Sequence, residues 1–306
     1  MAQAQKGIYA EPSLHGITLQ LNVMTDDVIS IRRKLARIPA MLDELDERFS
    51  EALLTGYVAV GSDYWDILYP QQRPPQFGNF PDLRDGDRQA PREPVDLLIT
   101  IRSDRFDVNY FSARAILEWL GHDVELTEQT PTFRFMDGRD LTGFIDAPEN
   151  PRGIRRRQLA LIHADDDPVF AGGSYLFVQK FRHDLRRWEQ LDQAAQEQVI
   201  GRKKLNGDRI SEAQLSGVSH TQKARLQNDQ EQPLHMLRQN MPWGDMREQG
   251  LMGMYFTGQP RDVIQWLKQR YIADENGDYD PLLDYIEAVT NACYFVPSLD
   301  FLTGEI

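Results

Sequence analysis

His15-Gly-Ile-Thr-Leu-Gln-Leu-Asn-Val23-Met-Thr25-Asp-Asp-Val28-Ile-Ser-Ile31-Arg-Arg-Lys-Leu35-Ala-Arg-Ile38 changes character at Thr25. Residues 15–23 read as a strand. Beyond them, Val28, Ile31, Leu35 and Ile38 recur at spacings of three and four, the apolar face of a helix that Thr25 is placed to cap. Thr55 to Val60 follows as a strand. After a long break, Val95 to Ile101 reads as a strand and Phe106 to Leu120 as a helix. Gly121 is set as that helix's C-terminal stop, and Val124 to Phe135 as one more strand.

The second half offers a similar order: strand Ser174 to Lys180, helix Arg186 to Gln198, strand Leu251 to Thr257, helix Arg261 to Tyr271, strand Ala292 to Pro297. Two β-α-β-β-α-β units predict an α+β fold, a duplicated ferredoxin-like architecture with antiparallel sheets packed against helices. The expected division is a unit over residues 1–145 and a second over 146–306. No sequence identity links the halves, so element order alone carries the duplication. Two stretches interrupt it. Ser62 to Pro94 is rich in proline, glycine and charge; Gly201 to Gln232 is polar and aperiodic. The first is either a wrapped ordered loop or a mobile one, and a structureless insert of the second's size inside a compact domain usually serves a site.

Composition narrows the function. Of the 306 residues, 41% are hydrophobic and 10% aromatic, enough for real cores. The net charge of −13 opposes a broad phosphate-binding surface, so no nucleic-acid partner is expected. No apolar run approaches the roughly 20 residues of a membrane span, and the polar N-terminus lacks the apolar segment of a secretory signal. A cytoplasmic protein without a membrane partner is the expectation. The single cysteine, Cys293, excludes an internal disulfide and any multi-cysteine metal site, and it reads as a small core residue.

Six histidines are present, His15, His122, His163, His183, His220 and His235, none at helical zinc spacing. Taken singly, each reads as a surface or satisfied core residue. His220 stands apart in Ser216-Gly-Val-Ser-His220-Thr, where no core face explains it. Asp140-Leu-Thr-Gly143-Phe-Ile-Asp146-Ala-Pro-Glu-Asn150-Pro151 lies between the halves. It is either an interdomain turn or a ligand loop. Leu237-Arg238-Gln-Asn240-Met-Pro242-Trp-Gly244 is either a strand end with a surface arginine or a set of fixed donors.

Together these segments resemble dye-decolorizing peroxidases of the bacterial B/P type. Gly143-Phe-Ile-Asp146-Ala-Pro-Glu-Asn150-Pro151 is similar to the family's Gly-x-x-Asp-Gly motif and its following Asn-Pro. Val218-Ser-His220 resembles the proximal histidine segment, and Arg238-Gln-Asn240-Met-Pro242 the distal one. Trp65-Asp66, Arg73-Pro74, Val95-Asp-Leu-Leu and Asp280-Pro-Leu-Leu-Asp284 agree as well, as does the run Ala288 to Pro297, so the likeness spans nearly the whole chain. The motif's last glycine is Ala147 here, which disfavours positive φ and puts the loop's geometry in doubt.

The resemblance implies haem b as cofactor, ligated by His220, with Asp284 accepting a hydrogen bond from the ligand's other ring nitrogen. It implies that Asp146 moves the proton of hydrogen peroxide, that Arg238 stabilises charge on the departing oxygen, and that Asn240 holds a distal water or the bound oxygen. Asn150 and Arg152, or the run Arg155 to Arg157, would then hold the haem propionates. Small aromatic donors such as dyes and phenols would be oxidised through a ferryl intermediate, by a homo-oligomer. The ordinary carboxylate pKa near 3.9 predicts an acidic optimum unless burial raises it. The alternatives are a haem-storing or haem-delivering protein and a cofactor-free module acting by protein contact.

Overall fold

The computed structural model describes residues 2–228 and 230–304. The first half runs β1 (His15–Val23), α1 (Val28–Arg48), β2 (Thr55–Gly61), α2 (Trp65–Leu68), the hairpin β3 (Leu83–Asp85) and β4 (Arg88–Ala90), β5 (Leu97–Ser103), α3 (Phe106–Leu120) and β6 (Val124–Phe133). The second runs α4 (Ile154–Ala160), β7 (Ser174–His183), α5 (Leu185–Trp188), α6 (Gln193–Ile200), α7 (His220–Lys223), β8 (Leu237–Arg238), β9 (Met241–Gly244), β10 (Gln249–Thr257), α8 (Pro260–Tyr271), β11 (Ile286–Val296) and α9 (Leu299–Thr303).

The strands lie in the order β7-β11-β2-β5-β1-β6-β9-β10, and β10 pairs again with β7, so the sheet closes on itself. Each half keeps the ferredoxin-like order: β6-β1-β5-β2 in the first, β11-β7-β10-β9 in the second. Two narrow seams join them. At one, Tyr294 and Phe295 pair with Gly61 and Val60; at the other, Thr132 pairs with Trp243. Alternating residues fill the ring, among them Tyr57, Leu176, Val178, Met252, Met254, Phe256 and Tyr294. Met252, Met254 and Phe256 therefore act as core filling, as their shared face predicts.

The opposite faces of the strands pack against helices. In the first half, Ile31, Leu35, Ile38 and Leu42 of α1 are buried in that layer. At about 1.5–3 kcal/mol each, they outweigh the roughly 3 kcal/mol cost of Pro39 inside the helix. The cap differs from expectation: Asp27, not Thr25, accepts from Ser30 N, and Thr25 Oγ1 accepts from Asp27 N instead.

In the second half this helical layer is thinner. The single helix expected over Arg186 to Gln198 is two pieces, because Asp192 caps a new start by accepting from Ala195 N. A cavity occupies the gap left between sheet and helices. A second departure concerns the missing strand of the β-α-β-β-α-β order. It is supplied by β8 and β9, which the Pro242 and Gly244 turn signals concealed. No described helix is long and apolar enough to cross a membrane.

Candidate active site

The cavity has an open volume of about 870 Å³, mouth included. Phe181 and His183 of β7, Leu251 and Tyr255 of β10 and Ile286 of β11 form its floor. Ile200, His220, Thr221, Trp266 and Arg270 come from the helices above, and Asp146, Arg238 and Asn240 also line it. Three sequence-predicted segments therefore meet in one space.

His220 is the first residue of α7, which begins with a capping box: Ser219 N and Oγ both approach Gln222 Oε1, at 2.9 and 3.0 Å. Thr221 Oγ1 donates to Ile200 O at 2.7 Å, and Trp266 Nε1 to Ala224 O at 3.0 Å. This one-turn helix is thus clamped at both ends. Gly201 makes the clamp feasible, since a Cβ there would lie 2.4 Å from Ser219 Oγ and its φ is +80°.

His220 Nδ1 lies 2.8 Å from Asp280 Oδ2. With a carboxylate opposite, that nitrogen is the donor. Nε2 has no hydrogen-bond partner among the described residues. The same Asp280 oxygen accepts from Arg270 Nε at 2.7 Å, while Oδ1 accepts from Leu282 N at 3.0 Å. Burial pushes the Asp280 carboxyl up, but the charges and hydrogen bonds of His220 and Arg270 outweigh it and hold the pKa at about 2. Arg270 is itself stacked on Trp266, 4.9 Å from the ring centroid.

The expectation for Asp284 is therefore corrected: Asp280 is the partner of His220. Asp284 is exposed and accepts from Tyr279 Oη at 3.0 Å. Asp280 precedes the 3₁₀ turn Pro281–Asp284 and Asp284 ends it, and of the two acids only Asp280 is buried. An aspartate before proline is itself a capping signal, which would have favoured Asp280.

Across the cavity, Asn240 Nδ2 approaches both carboxylate oxygens of Asp146 at 3.1 Å, and Asn240 Oδ1 accepts from Met254 N at 3.3 Å. Asn240 thereby orients the carboxylate. Burial raises the pKa of Asp146, with the Arg238 charge and the Asn240 hydrogen bond opposing. Arg238 is half-buried, and its Nε, itself buried, has no hydrogen-bond partner among the described residues.

Asn150 clamps the main chain of Arg238, donating to its O at 2.6 Å and accepting from its N at 3.0 Å. Neither Asn150 nor Arg152 lines the cavity of His220; both line a neighbouring cleft, with Arg152 exposed. Arg156 is committed to Tyr9 O and Ala10 O. The propionate placement on these residues thus finds no support.

Ala147 has φ +42°, the conformation the sequence marked as unfavourable for alanine. A left-handed alanine costs about 1–2 kcal/mol, against roughly 0.5–1 kcal/mol of lost freedom for glycine. Ala147→Gly is expected to raise unfolding stability by about 0.5–1 kcal/mol. A lower denaturant midpoint would show that the methyl contacts outweigh the strain.

Two wall residues escaped the sequence. His183 Nδ1 and Asp140 Oδ1 lie 3.7 Å apart, buried, and neither has a hydrogen-bond partner. His183 ends a strand pattern, where a buried histidine gives no periodic signal.

One anchored imidazole thus shares a cavity with a carboxylate, an arginine and an amide, on a ferredoxin-like scaffold. Residues 5–134 match the family described as Dyp-type peroxidase, N-terminal, and residues 137–301 its C-terminal counterpart. The chain belongs to the Dyp-type peroxidase family. A dye-decolorizing peroxidase of Rhodococcus erythropolis is 35% identical over 271 residues, covering 88% of this chain and 79% of the relative. Among solved structures, a Dyp-type protein from Shewanella oneidensis superposes with TM-score 0.95 at 38% identity, covering 99% of both chains. A Rhodococcus jostii DypB variant in complex with haem gives 0.92 at 30% identity, covering 99% of this chain and 98% of the other.

Proposed function

We propose that this chain is a haem peroxidase that uses hydrogen peroxide to oxidise small aromatic donors, with His220 as the iron ligand. The observation that carries the reading is the buried Arg270–Asp280–His220 chain, set against Asp146, Asn240 and Arg238 across one cavity. The residues fit the group. One imidazole nitrogen is anchored, the flanks are apolar (Phe144, Leu251, Leu282, Ile286), and Arg238 Nε and His183 Nδ1 are buried without hydrogen-bond partners among the described residues. When bound, haem supplies the iron at which peroxide is cleaved and the oxidising equivalents passed to the donor.

The protein's own contributions follow from its chemistry. Asp280 fixes the His220 tautomer and raises the basicity of Nε2. Asp146 takes a proton from one peroxide oxygen at its carboxylate and returns it to the other, directly or through a water. Arg238 offers permanent positive charge where the departing oxygen becomes negative. Asn240 keeps the Asp146 carboxylate oriented rather than binding peroxide itself.

The test is stopped-flow absorbance of the haem-loaded chain mixed with equimolar peroxide, followed by a phenol. Rapid Soret loss, reversed by the phenol, is the expected result. A Soret band indifferent to peroxide would support haem storage or delivery instead. His220→Ala is expected to lose the normal ferric spectrum, and retention of that spectrum would remove His220 as ligand.

A further inference from the structure

Behind the wall formed by residues 145–148, Arg238 and Asn240 lies a second cleft of about 1100 Å³, mouth included, that shares those residues with the His220 cavity. In a chain of net charge −13 its lining is unexpectedly basic. Arg102, Arg134, Arg139, Arg152, Arg156 and Arg238 contribute, against the acids Glu11, Asp137 and Asp146.

Asp137 is paired with Arg139, and Asp146 belongs to the inner wall. Arg156, 4% exposed, donates to the carbonyls of Tyr9 and Ala10, with only the exposed Glu11 carboxylate at 3.7 Å. Arg102 is the anomaly. It is 3% exposed, donates from Nη2 to Gly7 O at 3.1 Å, and its Nε has no partner among the described residues. No described carboxylate pairs with it, and its ionisable neighbours are the Tyr57 phenol and the Arg156 guanidinium. Burial pushes its pKa down to about 10, so it stays charged at neutral pH. A buried cation without a counter-ion is costly, and an unused donor adds to that cost.

An anion entering the cleft would relieve both. Phe133, Phe135, Ile145, Pro148, Met241 and Pro242 provide an apolar wall beside the arginines. We infer that this cleft binds a small organic carboxylate, its anionic end at Arg102 in the field of Arg156 and its apolar body against that wall. The binding itself is independent of the peroxidase reading. Only its consequence rests on that reading: carboxylate-bearing substrates would gather one wall away from Asp146 and Arg238.

The probe is 4-fluorobenzoate, titrated into the haem-loaded chain and followed by fluorine NMR, with neutral 4-fluorobenzamide as the isosteric control. Benzoate is expected to bind at least about ten-fold more tightly than the amide, one bidentate charge-assisted contact amounting to that or more. Arg102→Met should lose the preference, and Arg102→Lys should recover part of it. Arg152→Glu, at the exposed mouth, should weaken benzoate alone and guards against a misfolded Arg102 variant. Equal affinity for acid and amide, or unchanged binding in Arg102→Met, would overturn the inference. So would benzoate binding lost on haem loading, which would assign the cleft to a haem propionate. Haem uptake is read separately from the Soret band. A chain that takes up no haem therefore refutes the proposed function while the haem-free titration still decides this one.

Discussion

Asp280→Ala will lower the unfolding free energy by about 3–5 kcal/mol, because it strands Arg270 as a buried cation without its partner. The same change frees His220 to rotate and to exchange its tautomer. Haem affinity is then expected to fall about 10- to 100-fold, the usual cost of removing a ligand's orienting group. Asp284→Ala, four residues on and exposed, removes only a hydrogen bond from Tyr279 and is expected within about 0.5 kcal/mol of the parent. Urea midpoints of the haem-free variants and haem titrations of the loaded ones check the pair. Equal losses from both substitutions would mean that His220 is not held by Asp280 in solution.

The second large effect belongs to Asp146. Asp146→Asn is expected to slow the reaction with peroxide by about 10²- to 10⁴-fold, with the resting haem spectrum retained. In the proposed mechanism the proton acceptor is the ionised carboxylate, whose pKa burial raises above the ordinary value. The rate should therefore rise with pH through a midpoint higher than that of a free aspartate, and the rising limb should vanish in Asp146→Asn. Arg238 opposes that shift, so Arg238→Leu should move the limb to still higher pH as well as slow the reaction. A midpoint at the free-aspartate value would show that the carboxylate is hydrated during turnover. The acidic optimum expected from sequence should accordingly lie above that of a free carboxylate.

The strands and helices with a strong period were legible. β1 and α3 fall where alternation, helical spacing and Gly121 place them. What escaped was decided by distant partners. β8 and β9 total six residues and carry proline and glycine, so nothing local marks them as the missing strand. They exist because β10 offers an open edge to pair with. Arg238, Asn240 and His220 stand out in the sequence as candidates, but only the family resemblance gives them roles. The error at Asp284 has the same origin, since two aspartates four residues apart look alike until a turn directs one inward. Asn240 shows the limit of residue type as a guide: an amide suited to binding peroxide is instead occupied with Asp146.

The closed ring also bears on how the chain survives its own synthesis. β11 is the last strand to join, so β2 must wait for residue 296 with its outer edge unpaired, whereas β6 meets its partner β9 by residue 244. At translation rates of about 5–20 residues per second, that wait after β6 lasts roughly ten to thirty seconds. β6 carries Glu125, Glu128 and Pro131, which discourage intermolecular pairing. β2, Thr-Gly-Tyr-Val-Ala-Val-Gly, carries no charge and no proline. The nascent chain is therefore most prone to aggregate through residues 55–61, and a chaperone that shields one segment during synthesis would shield that one.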